Sequence, residues 1–378
     1  MAAKYAALGG LSVILLEKRA EIGAPLRCAE GVSKKWLEEI GVTPDPKWIS
    51  ADMDGAIIVS PSGHRFKLDE SHAGNEVGYV LERSLFDKAL AEQAAQAGAV
   101  FMLRTGCTGV IHEDGKLVGV KANRMGEPIE IRAKCVVAAD GFESQVARWA
   151  GLDTTLDLDN MDTCLQYRMT NIDIEPNYCE FLLGSAAPGG YVWIFPKGNG
   201  LANVGIGVQG TKCKLGADPK YYLDKFIAND ERLNKGQILE IVAGGVSTCP
   251  GIDDAVMDNL VVVGDAARMI DPITGGGICH AARAGMYAGK VLVECAKDGD
   301  FSKKALQPYE RMWRDKMEDK LYRNWMAKDI FVTLEDKILD DVVLAINDSG
   351  IKEVNVYNLL AVVKEKFPEL MGELEGLL

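Results

Sequence analysis

The sequence is poor in the groups from which metal centres and nucleic-acid surfaces are made. It has four histidines, at 64, 72, 112 and 280, and they do not cluster. Its nine cysteines are widely separated, with no Cys-x-x-Cys pair and no zinc-ligand spacing. No resident metal is therefore expected. Positive charge is short as well: 42 Lys and Arg against 55 Asp and Glu leave a net charge of −13. That is the wrong sign for a nucleic-acid partner, whose phosphates need a basic surface. No apolar stretch approaches the roughly 18 residues of a membrane span. The run at 11–16 is too short for a secretory signal and is followed at once by charge. Scattered thiols in an acidic chain fit a reducing compartment. A cytoplasmic location is expected, with transient, peripheral contact to the membrane face as the only membrane association. One more thing is missing. "MAAKYAALGGLSVILLEKR" reads as a helix (1–7), an apolar strand (11–16) and Glu17. This is the second half of a βαβ unit with no strand ahead of its helix.

What is present is ordinary for a soluble globular protein: 378 residues, 48% hydrophobic and 26% charged. The length allows two or three packed units. "DGAIIVSPSGHRFKL" (54–68) predicts a hairpin turning at Pro-Ser-Gly, and 34–41 a short helix ended by Gly41. "RSLFDKALAEQAAQAG" (83–98) predicts a helix, with Leu85, Phe86, Leu90 and Ala94 at helical spacing and Gly98 as its stop. Strands are expected at 99–104, 107–112, 117–124 and 128–138. From 156 to 248 alternating segments predict an antiparallel sheet, and "NLVVVGD" (259–265) restores a buried, parallel-type strand. A long helix over about 276–297 and a mostly helical 301–378 follow. The expected fold is α/β: a discontinuous Rossmann-like nucleotide-binding domain (1–50, 75–155, 249–300), an inserted antiparallel-sheet substrate domain (51–74, 156–248) and a C-terminal helical region (301–378).

Three stretches carry chemistry. An acidic residue at the end of the second strand of a dinucleotide-binding βαβ unit accepts hydrogen bonds from ribose; Glu17 stands at that place, though a charged strand end alone is weak evidence. "VVAADGFESQVAR" (136–148) runs from a strand through Asp140-Gly141 into a helix with Ser144 and Arg148. "LVVVGDAARMIDPITGGGICHAARAGMYAG" (260–289) runs from a strand through Gly264-Asp265 and Pro272 to Gly275-Gly276-Gly277 and a helix. Asp265 can hold a polyol hydroxyl, and the glycines let backbone amides approach a polar ring edge or a phosphate at a helix N-terminus. In "GYVWIFPKGNGLANVGIGV" (190–208), alternate residues of a strand share one face, so Tyr191, Trp193 and Phe195 form an aromatic wall. Gly205 and Gly207 on the next strand are expected to leave room for a chain or a flavin against the sheet. An aromatic core strand is the plain alternative.

Glu17, Arg83, Asp140-Gly141 and Gly264-Asp265 with the glycines downstream resemble the flavoprotein superfamily of aromatic-ring hydroxylases. Tyr191-x-Trp193-x-Phe195-Pro196, eight residues, then Gly205-x-Gly207 is similar to the signature of geranylgeranyl reductases. "GAPLRCAEGVS" (23–33) resembles those reductases' cysteine loop, with Arg27, Cys28, Ala29 and Gly31 at the matching positions. The resemblance covers residues 1 to about 330. Arg268 departs from it, where related flavoproteins often carry histidine.

The resemblance implies FAD, bound by Glu17, Arg27, Cys28, Ala29, Arg83, Asp140, Gly141, Gly264, Asp265, Pro272, Gly275, Gly276, Gly277 and Ile278. It implies a prenylated glycerophospholipid as substrate, with Tyr191, Trp193, Phe195, Gly205 and Gly207 lining its site and the C-terminal helices helping to enclose it. The implied reaction is saturation of isolated prenyl double bonds in archaeal membrane-lipid precursors, with Cys28 or an ordered water as proton donor. NAD(P)H, a ferredoxin and a reduced deazaflavin all stand open as electron donor. A hydroxylase or halogenase of the same superfamily is the first alternative, and a prenyl-lipid-binding protein without functional flavin the second. The missing first strand and glycine turn are expected in a stretch of roughly 12–20 codons upstream of Met1. Without that strand the first helix is expected to pack poorly.

Overall fold

The computed structural model describes residues 1–69 and 78–349. The expectations for 70–77 and for 350–378 lie outside the described residues. The described residues divide into two units, one made of 1–26, 83–156 and 249–322, the other of 27–69, 78–82, 157–248 and 323–349. Residues 27–50 and 78–82 thus pack outside the expected nucleotide-binding domain, and 301–322 pack inside it. The reason for the first is pairing: Gly31–Ser33 and Ile49–Asp52 flank Gly78–Leu81 in a three-stranded sheet of their own. The reason for the second is burial: Tyr309 and Trp313 are fully enclosed beside Val262, Ala267 and Ala284 in the first unit's core.

In the first unit, Ile14–Leu16 pairs in parallel with Val100–Met102, and Val136–Ala138 with Leu260–Val262. These are the parallel pieces expected of a nucleotide-binding fold. The expected strand 128–138 is two strands. Glu127–Arg132 closes an antiparallel meander with Lys116–Arg124, whereas Val136–Ala138 joins the parallel pair. In the helix Arg83–Gln96, Phe86 and Ala94 are buried but Leu85 is 45% exposed.

The first helix, Ala2–Leu8, does not pack poorly. Ala6 and Ala7 are buried, and the helix lies against the long helix Ile278–Asp298. A Cβ at Gly289 would stand 2.7 Å from Tyr5 Cβ and 2.8 Å from the Ala2 carbonyl, and one at Gly285 3.0 Å from the Ala2 nitrogen. Small residues on both helices bring the backbones together, and apolar burial follows without large side chains.

The second unit is built on a seven-stranded sheet in the spatial order Gln237–Ser247, Met161–Thr170, Leu201–Gln209, Val192–Pro196, Tyr178–Leu182, Gly55–Val59, Arg65–Asp69. All neighbours are antiparallel except Tyr178–Leu182 with Gly55–Val59. The hairpin at Pro61-Ser62-Gly63 forms as expected, with Gly63 at φ +86°. One sheet face is a closed core: Tyr167, Met169, Val204, Ile206 and Val208 pack under Leu223 and Leu233. Strand alternation sends Asp162, Cys164, Gln166 and Arg168 to the opposite face, across from Gln209, Gly207, Gly205 and Asn203.

Candidate functional site

The first unit gathers the polar groups at the carboxyl ends of its strands. Glu17 follows its strand directly, and its carboxylate accepts the Arg19 N–H at 2.7 Å. Asp140 follows Val136–Ala138. One of its oxygens accepts the Val146 N–H at 2.9 Å; the other, Oδ1, is buried with no partner. A buried carboxylate oxygen left unpaired costs free energy unless a donor arrives. Gly141 sits at φ +78°, which makes the turn possible.

Beside it, Gly264 (φ +64°) and Asp265 start a single turn of 3-10 helix. Burial raises the Asp265 carboxyl above its usual range, against the pull of the Arg83 and Arg268 guanidiniums. Arg83 itself grips Asp87 one turn along its helix, at 3.0 Å. The two segments are locked to each other. Ser144 Oγ donates to the Ala266 carbonyl at 2.6 Å, and buried Arg268 donates to the carbonyls of Phe142 and Thr154. Arg268, the departure from the superfamily pattern, is thus a clamp between these segments.

The glycine run refines what the sequence suggests. Gly275 and Gly276 use their amides within the turn, on the Asp271 carbonyl (2.9 Å) and on Thr274 Oγ1 (3.2 Å). The place left for an incoming acceptor is Gly277–Ile278, where the long helix begins without any side-chain cap. A Cβ at Gly277 would lie 3.0 Å from Asp265 Oδ1, so glycine there keeps the cradle open. Pro272 is buried and holds the loop's approach. An unpaired Asp140 oxygen, a desolvated Asp265 and an uncapped helix start fit a polyol-diphosphate cofactor such as FAD.

The second unit carries the aromatic strand and the cysteine loop. Phe181, absent from the expected set, extends the wall. Its ring stands edge-on to Tyr191 (5.6 Å between centroids) and to Phe195 (5.4 Å), and Tyr191 stands edge-on to Trp193 at 6.0 Å. The expectation for Gly205 is corrected. A Cβ there would fall 2.3 Å from Trp193 Cζ2, so the space is filled by the indole and is not left for a chain or a flavin. The indole is held by its Nε1–H, which donates to Gln166 Oε1 at 2.9 Å. At Gly207 a Cβ would meet only Asp162 Oδ2 at 3.4 Å and Cys164 Sγ at 3.7 Å.

The loop lies on this face. Gln166 Nε2 donates to the Cys28 carbonyl at 3.0 Å, and Asn203 Nδ2 to the Ala29 carbonyl at 3.1 Å. Arg27 passes over Gly244, whose Cβ position is 3.8 Å from Arg27 Cδ. The Glu30 N–H donates to Cys28 Sγ at 3.2 Å. Glu30, at φ +78°, pairs with Lys197, and both side chains are fully buried. Gln166, Asn203, Lys197 and Asp162 escape a sequence reading because polar residues at alternate strand positions look like a solvated face. The signal available is register: Gln166 and Cys164 pair with Gly205 and Gly207. Among the described residues no group of side chains could hold a metal ion, and no helix is long and apolar enough to cross a membrane.

Comparison with known proteins agrees with this geometry. Residues 160–246 match the model of the geranylgeranyl reductase catalytic domain. The chain is 47% identical to a digeranylgeranylglycerophospholipid reductase of Thermoplasma volcanium, covering 100% of this chain and 96% of that one. It is 48% identical to the protein of that name from Methanoculleus marisnigri, covering 100% and 94%. A crystal structure of a geranylgeranyl bacteriochlorophyll reductase-like protein from Thermoplasma acidophilum superposes with a TM-score of 0.94 at 45% identity, over 100% of this chain and 96% of that one. A flavin-dependent brominase superposes at 0.72 with 18% identity, over 90% and 89%, a likeness of fold alone.

Proposed function

The chain belongs to the digeranylgeranylglycerophospholipid reductase family, and we propose that it saturates the double bonds of geranylgeranyl chains on glycerophospholipids, with FAD as the hydride carrier. The observation that carries this reading is the aromatic strand in register with Gly205 and Gly207, inside the segment that matches the reductase catalytic domain. FAD would be held by Glu17, Arg83, Asp140, Gly141, Gly264, Asp265 and the Gly277–Ile278 helix start. When bound and reduced it supplies the hydride.

The chain's own residues do the rest. An isolated alkene is a poor hydride acceptor, so it must be fixed in place and kept from water. Tyr191, Phe181 and Phe195 offer the chain a wall of ring edges, and Trp193, pinned by Gln166, fixes that wall's position. Cys28 is held at the same face and positions the alkene. The substrate is delivered from a membrane surface. Ile238, Leu239 and Ile241 support that contact, since they stand 48–63% exposed on an edge strand of the substrate sheet. A cytoplasmic enzyme visiting the inner membrane face fits these features.

The test is anaerobic. Flavin-loaded protein reduced by dithionite is given a prenylated glycerophospholipid, and mass spectrometry follows the gain of hydrogen at each double bond. Saturated chains are expected. Product formation that needs oxygen or halide points to the hydroxylase or halogenase chemistry of the wider superfamily. A colourless protein that binds the lipid unchanged points to a binding protein.

A further inference from the structure

In a chain of net charge −13, residues 211–225 carry four lysines against two carboxylates. Lys212 and Lys214 stand exposed in the last turn of the short helix Gly210–Lys214. Leu215 follows them at 80% exposure. The helix Pro219–Asn229 then presents Lys220, Tyr221 and Lys225 to solvent, with Tyr221 57% exposed. Tyr221 stands edge-on to Tyr222 at 5.4 Å, and the Lys225 ammonium lies 6.0 Å from its ring. Both carboxylates are used within the fold. Asp218 caps the helix by accepting the Lys220 N–H at 2.9 Å. Asp224 accepts the Tyr167 hydroxyl at 2.8 Å and pairs with Lys220. Lys212, Lys214 and Lys225 have no carboxylate partner among the described residues.

The edge strand of the sheet adds apolar surface on the same side. Leu223 of the helix is buried in one cluster with Tyr167 and Met169. Tyr167 stands opposite Ile241 on the strand Gln237–Ser247, and Met169 opposite Ile238, so both isoleucines share the face on which the helix lies. Between them the ladder slips: Arg168 pairs with Glu240 and Met169 with Ile238, which leaves Leu239 with no residue opposite. Such a bulge spoils the regular edge that a second copy of the chain would need for strand pairing. Ile238, Leu239 and Ile241 are all exposed nonetheless. The exposed carboxylates of this stretch are Glu231 and Glu240, with Lys235 between them in the chain.

We propose that this side of the substrate sheet is a docking surface for a bilayer of anionic glycerophospholipid. The proposal rests on the reductase reading above for why the protein meets a bilayer; it adds the segment that makes the contact and the charge of the lipid it selects. Lys212, Lys214 and Lys225 take headgroup phosphates, while Leu215 and Tyr221 enter the boundary between headgroups and chains. Tyrosine suits that depth, having an apolar ring and a polar hydroxyl. The lysine stems lie along the apolar surface with their ammonium groups outward. Ile238, Leu239 and Ile241 widen the apolar area. Because the chain as a whole is acidic, an anionic surface repels it except at such a patch, and charge orients the approach.

The experiment is sedimentation of the flavin-loaded full chain with vesicles of phosphatidylcholine, alone or mixed with phosphatidylglycerol, at low and high sodium chloride. Wild type is expected to bind the mixed vesicles at low salt and to leave them as salt rises. Lys212→Gln/Lys214→Gln should bind roughly 10-fold more weakly, with a smaller salt dependence. Leu215→Ser/Tyr221→Ser should also bind roughly 10-fold more weakly. Met125→Ser, which removes a side chain 68% exposed in the first unit, should bind as wild type. Both double variants change exposed positions and should fold as wild type. They should saturate lipid dispersed in detergent at the wild-type rate, and lipid held in mixed vesicles more slowly. Equal binding to both kinds of vesicle, double variants that bind as wild type, or an equal loss in Met125→Ser overturns the proposal and leaves the reductase reading standing. A wild type that dimerises in solution and becomes monomeric in Leu215→Ser/Tyr221→Ser overturns it too, by assigning the face to a second copy. A wild type that docks on mixed vesicles but saturates no chain, even in detergent, overturns the reductase reading and leaves the docking surface standing.

Discussion

The Lys197 ammonium and the Glu30 carboxylate form an ion pair with neither side chain exposed to solvent. Lys197 also donates to the Leu81 carbonyl at 2.7 Å and lies 3.0 Å from Glu82, while Asn203 donates to Glu30 at 2.8 Å. Burial acts to raise the Glu82 carboxyl, but Arg168 and Lys197 hold it below its usual range. The network pins the loop that carries Cys28 to the strand that follows the aromatic motif. Its role is placement, because a buried ion pair adds little net stability over an apolar pair.

Breaking one partner is another matter. Lys197→Met leaves the buried Glu30 carboxylate without a cation and should cost about 3–5 kcal/mol in urea unfolding; Glu30→Gln should cost less, because Lys197 keeps Glu82 at 3.0 Å. A double replacement of Glu30 and Lys197 by apolar residues of similar volume should unfold later than Lys197→Met alone. It should still saturate lipid poorly, because the Cys28 loop has lost its anchor. A Lys197→Met variant no less stable than the double replacement would count against an ion pair formed in the folded state.

The cofactor cradle makes a second expectation. Gly277→Ala puts a Cβ 3.0 Å from Asp265 Oδ1, and Asp140→Asn removes one charge from the oxygen left unpaired in the protein. Both variants should purify with less flavin per chain, read from the absorbance ratio of flavin to protein, while far-UV circular dichroism stays at the wild-type level. Full flavin occupancy in both would mean that neither group meets the cofactor.

Much of this was legible in the sequence, and for identifiable reasons. The Gly264-Asp265 and Asp140-Gly141 turns are short-range features, since strand, turn and helix entry follow one another along the chain. So is the hairpin at 61–63. What escaped was long-range. Lys197 and Glu30 are far apart in sequence, and Gln166 reaches Trp193 and Cys28 only through strand register. Gly205 follows the same rule: a glycine beside an aromatic strand signals close approach, but only register shows that the approaching group is the indole of Trp193. The first helix packs well because Gly285 and Gly289 on a distant helix make room, which no local pattern announces.

Acid stability should show two opposed titrations. Burial lowers the His280 imidazole from 6.5 to about 3, with Arg283 and Lys320 adding to it. The unfolded chain then binds the extra proton, so stability falls as pH drops from about 6.5 toward 3, by at most about 1.4 kcal/mol per pH unit. Asp162 has the reverse sign. Burial raises its carboxyl from the ordinary 3.8 to about 7, so the folded state binds the extra proton and stability falls as pH rises between the two. The two slopes largely offset each other between about pH 4 and 6.5. His280→Gln should unmask the Asp162 slope, making the protein more stable at pH 5 than at pH 7 in urea titrations. A His280→Gln profile parallel to wild type would show that the imidazole is not held neutral.

Gly205 and Trp193 provide the sharpest test of the substrate face. Gly205→Ala brings a methyl to 2.3 Å from Trp193 Cζ2 and 2.8 Å from its Nε1, and the indole, 7% exposed, has little freedom to swing away. Overpacking of this kind costs about 1–3 kcal/mol. The displaced ring loses Gln166, and Gln166 in turn loses its fixed position under the Cys28 carbonyl. Stability and saturation rate should therefore fall together, with a change in tryptophan fluorescence. Trp193→Phe removes the atoms that clash, so the double variant should recover stability relative to the sum of the singles, with a coupling of roughly 1 kcal/mol or more. If the glycine instead keeps space for a prenyl chain or a flavin, Gly205→Ala should weaken ligand binding whatever residue stands at 193, and the coupling should vanish.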